Sequence, residues 1–565
     1  MEIFMDRVKA DIIGRLKAAV SEAVQQGNIP AGAESVEIGL ERPARPEHGD
    51  LATNAAMLIA SAVRSNPRKI AEAIAGSFST AGSWVERVEI AGPGFINFHL
   101  GRRWVEDALR EVLGEGDQYG RSNAGGGKKV LLEFVSANPT GPIIVVQARA
   151  GAVGDTLANL FDWAGFSVAR EFYVNDAGNQ VATLGRSLEM RYRQLLGENV
   201  EVPEECYPGE YLIDVARKLM AEKGSGLLSL PEDERQGLFS SYAVSRIREM
   251  QQESLERYGV EFDVWFSEKG LHDAGDVGKV VEFLRGRGYA YDQDGAVWLK
   301  STAFGDDKDR VLVKSDGAFT YLAPDIAYHL NKYRRGYELL IDIWGPDHHG
   351  YIPRMKAAVE ALGYPRDSFE VLIVQLVRLI KQGEPVKMSK RMGEFVTMDE
   401  LLDDVGKDVA RFFFLLRSPD AHLDFDLDLA KIQSNENPVY YVQYAHARIS
   451  SIFREAAARG FTGLGVEDLL SADLSPLTDE SEVALVKKLA EFPGEIASSA
   501  VAREPHRMPR YLAEVATAFH SFYTRCRVLG VDEPAMKARL ALSFATQTVL
   551  RNGLSLLRVD APDRM

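Results

Sequence analysis

Residues 130–163 constrain the fold more than any other stretch. Val130-Leu-Leu-Glu-Phe-Val135 is an apolar run broken only by Glu133, and a short run of this kind predicts a buried parallel strand. Asn138, Pro139, Gly141 and Pro142 then force a turn. From about Gln147 to Trp163 apolar residues return at helical spacing, with Val153, Leu157, Leu160 and Phe161 on one side. Strand, tight turn and helix predict the opening of a nucleotide-binding crossover unit, in which ligands lie beyond the carboxyl ends of the strands and phosphates meet helix N-termini.

A chain of 565 residues is too long for a single core, and length alone suggests roughly three or four domains. No apolar stretch approaches the roughly eighteen residues of a membrane span, and Met1-Glu-Ile-Phe-Met-Asp-Arg lacks a charged region followed by an apolar run. Cys206 and Cys526 have no Cys or His partner at metal-ligand spacing, so neither a zinc site nor a disulfide framework is indicated. These features predict a cytoplasmic protein with no structural metal. The formal charge of −16 argues mildly against a nucleic-acid partner. It does not exclude one, because large proteins bind RNA mainly by shape and by single-stranded bases.

Residues 3–24 predict an amphipathic helix on Ile3, Val8, Ile12, Leu16, Ala19 and Val20. A second helix is expected from Asn66-Pro67, the cap and first-turn pair. Strands are expected at Val85–Ile90 and Phe95–Leu100, giving a small α+β domain over 1–118. Ser122-Asn-Ala-Gly-Gly-Gly-Lys-Lys129 precedes its strand and lacks Gly-Lys-Ser/Thr, so it reads as a flexible linker and not a phosphate loop. A long polar helical stretch over roughly 180–258 predicts an insertion, extending to about 290, in an α/β domain that spans 119–425. Val297–Lys300 and Val311–Lys314, beside Asp294-Gly295 and Asp316-Gly317 turns, are expected to be hairpin strands that resume the sheet. Leu339–Ile343 and Val371–Val374 predict further buried strands, so the two halves rebuild a doubly wound fold. From 426 to 565 the pattern is almost entirely helical.

Three groups of residues carry a resemblance. Ser136-Ala-Asn-Pro-Thr-Gly-Pro142 with Ala148-Arg149 and Gly154-Asp155 is similar to the first signature of the arginyl-tRNA synthetases, which are class I aminoacyl-tRNA synthetases. Lys387-Met-Ser-Lys-Arg391 resembles the class I "KMSKS" loop. Pro46-Glu-His-Gly-Asp-Leu-Ala-Thr-Asn54, Gly92-Pro-Gly-Phe-Ile-Asn97 and Asn437–Arg448 resemble the family's extra N-terminal domain and the start of its anticodon-binding bundle. One departure stands out. Where the family carries the "HIGH" element as Leu-His-Val-Gly-His, this chain has Ile143-Ile-Val-Val-Gln147. Four β-branched residues open a helix poorly, and Val146 stands where glycine would let a flat ligand approach.

The resemblance implies a class I Rossmann-like doubly wound parallel sheet with an insertion, an N-terminal α+β domain that contacts tRNA and a C-terminal all-α anticodon-binding bundle. It implies arginine activation with ATP and Mg2+, then transfer to tRNA(Arg) in protein synthesis, by a monomer. Attack of a carboxylate on the α-phosphorus builds negative charge that positive donors stabilise, which suits Lys387 and Lys390, with Ser389 holding phosphate or loop. Gln147 keeps one donor where the histidines are missing. ATP is expected along Pro139, Thr140, Gly141, Gly345, Asp347 and His348. A guanidinium is a planar fork that carboxylates meet in bidentate fashion. Glu133, Ser136, Asn138, Glu268, Tyr321, Asp325 and Gln375 are the expected arginine site, although Pro324 departs from the pattern beside Asp325. Tyr440, Tyr444, Arg448 and Met565 are the expected tRNA contacts, with aromatics available for base stacking. Two alternatives remain: a degenerate synthetase that binds tRNA or arginine without activating it, suggested by Ile144–Gln147, and another nucleotidyl transferase on a class I-like sheet.

Overall fold

The computed structural model describes residues 3–43, 45–386, 396–461 and 464–565. The first helix, Phe4–Gln25, buries Val8, Ile12 and Leu16 at the expected spacing. Asn66 caps Pro67–Ser77, its side-chain oxygen accepting from the Arg68 amide at 2.9 Å. Leu51–Thr53, Phe95–Leu100 and Val85–Ala91 form an antiparallel sheet with Phe95–Leu100 in the centre. A helix over Ala55–Val63 was not foreseen. Its sequence is apolar on nearly every side, so no helical period stands out.

The main sheet is built from β1 (Lys129–Glu133), β2 (Ser167–Val174), β3 (Val264–Ser267), β4 (Leu339–Trp344) and β5 (Phe369–Ile373). All pairings are parallel, and the order is β3-β2-β1-β4-β5. Strand order therefore reverses between β1 and β4, which opens a crevice at their carboxyl ends. Helix α1 (Val145–Trp163) follows β1, and α2 (Leu322–Arg334) precedes β4.

The glycine-rich stretch before β1 is not a free linker. Ser122, Gly125 and Gly127 donate their backbone N–H groups to the carbonyls of Trp163, Ala164 and Gly165, each at 2.8 Å. A Cβ on Gly125 would lie 2.2 Å from the Phe166 ring, so glycine is required there by close approach. The segment thus clamps the end of α1.

Helices Asn179–Leu195, Tyr211–Lys223 and Glu232–Arg257 interrupt the sheet and close over their own core of Leu188, Tyr192, Leu219 and Phe239. β3 then pairs with β2, inside the span that the sequence assigned to an insertion reaching about 290. Ala290–Gln293, Ala296–Leu299 and Arg310–Val313 are strands, but they form a separate antiparallel sheet and do not resume the main one. Alternation and turn residues identify a strand without revealing which sheet it joins. Asp294 and Gly295, at φ 52° and 76°, make the expected hairpin turn.

After β5, Val377–Lys381 pairs with Leu423–Asp426, and long helices including Pro438–Ala458, Arg507–Arg525 and Glu533–Leu556 complete the chain. The fully buried Arg411 joins these parts. It donates to Asp155 Oδ2 of α1 at 2.6 Å, to the Leu557 carbonyl at 2.6 Å and to the Tyr258 carbonyl at 3.2 Å. No helix among the described residues is long and apolar enough to cross a membrane.

Candidate active site at the strand-order reversal

A cavity of about 240 Å³ lies at the carboxyl ends of β1 and β4 and is lined by Glu133, Tyr173, Asp325, His329, Asp342 and Tyr351 among others. Ser136, Gly345 and His348 also reach it. Its floor is polar because β1 and β4 each carry one acid in an apolar run, and α2 presents Asp325, His329 and Lys332 along one face. Lys332 is fully buried and donates to Glu133 Oε2 at 2.6 Å and to Asp342 Oδ1 at 2.8 Å. Glu133 Oε1 accepts from Ser136 Oγ at 3.0 Å. His329 faces two acceptors, the Asp325 carbonyl at 2.7 Å and Asp342 Oδ2 at 3.1 Å; a neutral ring can donate to one, an imidazolium to both.

These contacts separate the acids. Burial raises the Glu133 carboxyl, with Lys332 opposing, whereas for Asp342 burial is outweighed by Lys332 and His329 and its carboxyl is held below the ordinary range. Asp325 is raised by burial, against the hydrogen bond from Tyr351 Oη to its Oδ2 at 2.6 Å. Asp325 Oδ1 has no hydrogen-bond partner among the described residues. Pro324 does not disturb this placement, because it occupies the first turn of α2, where its missing N–H would be unpaired anyway. Next to the cavity, Val135 and Ser136 adopt left-handed backbone at φ 68° and 37°. For a β-branched residue this is strained, and such strain concentrates at functional sites.

The turn after β1 is braced from the inserted helices. Gln251 donates its side-chain amide to the carbonyls of Asn138 at 3.0 Å and Gly141 at 2.8 Å, and Tyr211 donates to the Thr140 carbonyl. Helix α1 then opens at Val145, two residues earlier than expected. The β-branched residues are accommodated because Ile143 and Ile144 are still extended. Ile144 bridges Thr397, the Met398 amide donates to the Ile143 carbonyl at 2.8 Å, and the Val145 amide donates to the Val396 carbonyl at 3.3 Å. The Gln147 side-chain oxygen accepts from the Ile144 amide at 2.9 Å, capping the helix and leaving the amide nitrogen to donate elsewhere. Farther along α1, the fully buried Arg149 donates to the carbonyls of Gln375, Ala421 and Ser418, each at 2.9 Å. The segment that follows the lysine loop is therefore fastened to the start of α1.

Of the expected residues, Glu133, Ser136, Asp325, Gly345 and His348 converge on the cavity. Asn138, Pro139, Thr140 and Gly141 lie in the braced turn, and Gln375 is held by its backbone at the end of β5. Glu268 opens a short helix after β3 and stands 3.6 Å from His272. Tyr321 is 88% exposed and Asp347 is exposed, and neither lines the cavity. Lys387, Ser389 and Lys390 fall outside the described residues. Tyr173, His329, Lys332, Asp342 and Tyr351 were missed. The 325, 329, 332 spacing on a helix and the lone Asp342 in an apolar strand were the available signals.

On the helical bundle, Tyr440 and Tyr444 are parallel with centroids 6.2 Å apart, and Tyr444 lies 6.0 Å from His520. Arg448 donates to Tyr523 Oη at 3.0 Å. The tyrosines are half-buried rather than core, and Met565, 52% exposed, lines a groove with Tyr440.

Comparison with known proteins places this geometry. Residues 11–100 match the arginyl tRNA synthetase N-terminal domain, 108–412 the class I (R) tRNA synthetase catalytic domain, and 442–565 the DALR anticodon binding domain. The chain is 54% identical over 561 residues to an arginine–tRNA ligase of Symbiobacterium thermophilum, covering 99% of this chain and all of that one. It is 51% identical over 565 residues to the Carboxydothermus hydrogenoformans arginine–tRNA ligase, covering both completely. The fold matches Thermus thermophilus arginyl-tRNA synthetase with a TM-score of 0.72 at 23% identity, covering 98% of this chain and all of that one. The chain belongs to the class I arginyl-tRNA synthetases.

Proposed function

We propose that the chain joins L-arginine to tRNA(Arg) at the expense of ATP in the cytoplasm, working as a monomer. The observation that carries this reading is the cavity at the strand-order reversal, lined by Asp325, whose Oδ1 has no hydrogen-bond partner among the described residues and would accept from a guanidinium. Glu133, Ser136, Asn138, Glu268 and Gln375 remain the proposed surrounding residues, with Tyr351 orienting Asp325. ATP would lie along Pro139–Gly141 and Gly345–His348, its phosphates toward the start of α1. The arginine carboxylate attacks the α-phosphorus, and the bond to pyrophosphate breaks. A hydroxyl of the terminal tRNA ribose then attacks the arginyl carbonyl, releasing AMP.

Lys387, Lys390 and Ser389 are proposed to stabilise the phosphoryl oxygens, and the Gln147 amide to donate from the opposite side. Mg2+ would neutralise phosphate charge. Among the described residues no cluster of three or more His, Cys, Asp or Glu is arranged to hold a metal. The proposed division of labour is tRNA contact by 1–118, chemistry by 119–425 and anticodon binding by 426–565 through Tyr440, Tyr444, Arg448 and Met565. The relatives at 54% and 51% identity give no support to an inactive reading. Aminoacylation of a tRNA(Arg) transcript with labelled arginine tests the proposal. Charging that needs arginine and ATP supports it, and a folded protein that binds the transcript without charging it refutes it.

A further inference from the structure

We propose that Lys332 is a positioning residue that fixes the charge of the arginine cavity and thereby its preference for a guanidinium over an ammonium side chain. The inference rests on the reading that the arginine side chain enters this cavity. The floor holds three carboxylates, Glu133, Asp325 and Asp342. Lys332 engages one oxygen of Glu133 and one of Asp342, and its ammonium lies 4.3 Å from the centroid of the Tyr328 ring. Ser136 and His329 occupy the remaining oxygens of those two acids. Glu171, the buried acid on β2, is saturated by Arg335 at 2.5 and 2.9 Å and by Tyr328 at 2.6 Å. One carboxylate oxygen on the floor, Asp325 Oδ1, is thus left to a ligand among the described residues.

The consequence is a matter of shape against charge. Several unpaired carboxylates in a small cavity attract any cation, and a compact ammonium satisfies them at least as well as a guanidinium. The Asp325 edge, with Oδ1 open and Oδ2 keeping a second lone pair beside the Tyr351 hydroxyl, can meet a planar donor fork through both oxygens, which a compact ammonium cannot match. Without Lys332 the floor loses a positive charge, Glu133 Oε2 and Asp342 Oδ1 lose their common donor, and both carboxyls shift upward, so the charge of the floor comes to depend on pH. The groups facing them are Ser136 on the turn after β1, Tyr173 on β2, Asp325, His329 and Tyr328 on α2, and the pair of Glu171 on β2 with Arg335 just after α2.

The test is arginine-dependent ATP–pyrophosphate exchange by the full chain with tRNA present, comparing the parent, Lys332→Met, Lys332→Arg and the charge-balanced Lys332→Met/Asp342→Asn. In Lys332→Met the arginine-to-lysine ratio of kcat/KM is expected to fall about tenfold, chiefly through a lower KM for lysine, with the ATP KM nearly unchanged. The arginine KM should also become dependent on pH near neutrality. Lys332→Arg and the double variant should recover most of the discrimination, and the double variant should fold even if the single one does not. An unchanged arginine-to-lysine ratio in folded Lys332→Met overturns the proposal. So does an equal rise in both KM values that the double variant fails to repair, which is the signature of a purely structural lysine. Exchange in the parent that ignores arginine instead overturns the reading on which the proposal rests.

Discussion

The opening of α1 and the floor of the cavity both follow from the carboxyl end of β1, yet they are built in opposite ways. The floor is a closed set of charged side chains in which Lys332, Glu133, Asp342, His329 and Ser136 consume one another's donors and acceptors. The opening of α1 has almost no polar side chains. It is held by backbone hydrogen bonds from Ile143–Val145 to Val396–Met398, by the Gln147 cap and by Arg149 on three carbonyls. Side-chain networks encode ligand choice because each charge must be matched, whereas backbone pairing tolerates almost any extended residue. That difference explains how Ile-Ile-Val-Val can replace the family's HIGH element without disturbing the fold.

The largest effect expected from breaking this contrast lies at Arg149. Burial lowers its guanidinium to about 10, with Asp420 opposing, and it donates to three backbone carbonyls. Arg149→Met should destabilise the chain by about 4 kcal/mol in thermal or urea unfolding, the cost of several unpaired buried groups. On the floor, Asp325→Asn should raise the arginine KM roughly a hundredfold, about 3 kcal/mol, with the ATP KM little changed. Because burial raises the Asp325 carboxyl, its protonation begins above the usual range, and protonation removes the charge that pairs with the guanidinium. The arginine KM should therefore climb as pH falls from neutral, and Tyr351→Phe should shift that climb to higher pH by deleting the opposing hydrogen bond. The same variant should cost about 1.5 kcal/mol in arginine binding. The smallest effect belongs to the opening of α1, where Gln147→Ala should cost about 1 kcal/mol of stability through loss of the cap.

Much of this architecture was legible in the chain. The β1–turn–α1 unit declared itself because an apolar run, Pro-Gly punctuation and a helical period follow one another without ambiguity. Asn66-Pro67 marked its helix for the same local reason. The helix over Ala55–Val63 escaped because a segment that is apolar in sequence on nearly every side has no polar face to set its period. The separate sheet of Ala290–Val313 escaped because strand pairing is a tertiary choice. At the site, Glu133 and Asp325 were visible as acids in meaningful places. Lys332 and Asp342 were not, since their role appears only when β1, β4 and α2 are packed together. Gln147 was read as a donor, and the structure shows its oxygen accepting as a helix cap, a role set by the extended Ile144 before it. Tyr321, expected among the arginine ligands, projects into solvent at the start of α2.

Arginine-dependent ATP–pyrophosphate exchange with cognate tRNA, run beside a variant carrying Ile144→His, Val146→Gly and Gln147→His, tests most directly whether a backbone-anchored opening of α1 sustains activation. Comparable exchange by the two proteins is the predicted result. Exchange confined to the restored variant would contradict the account, because the fold and the cavity would then be present without the step they are proposed to serve.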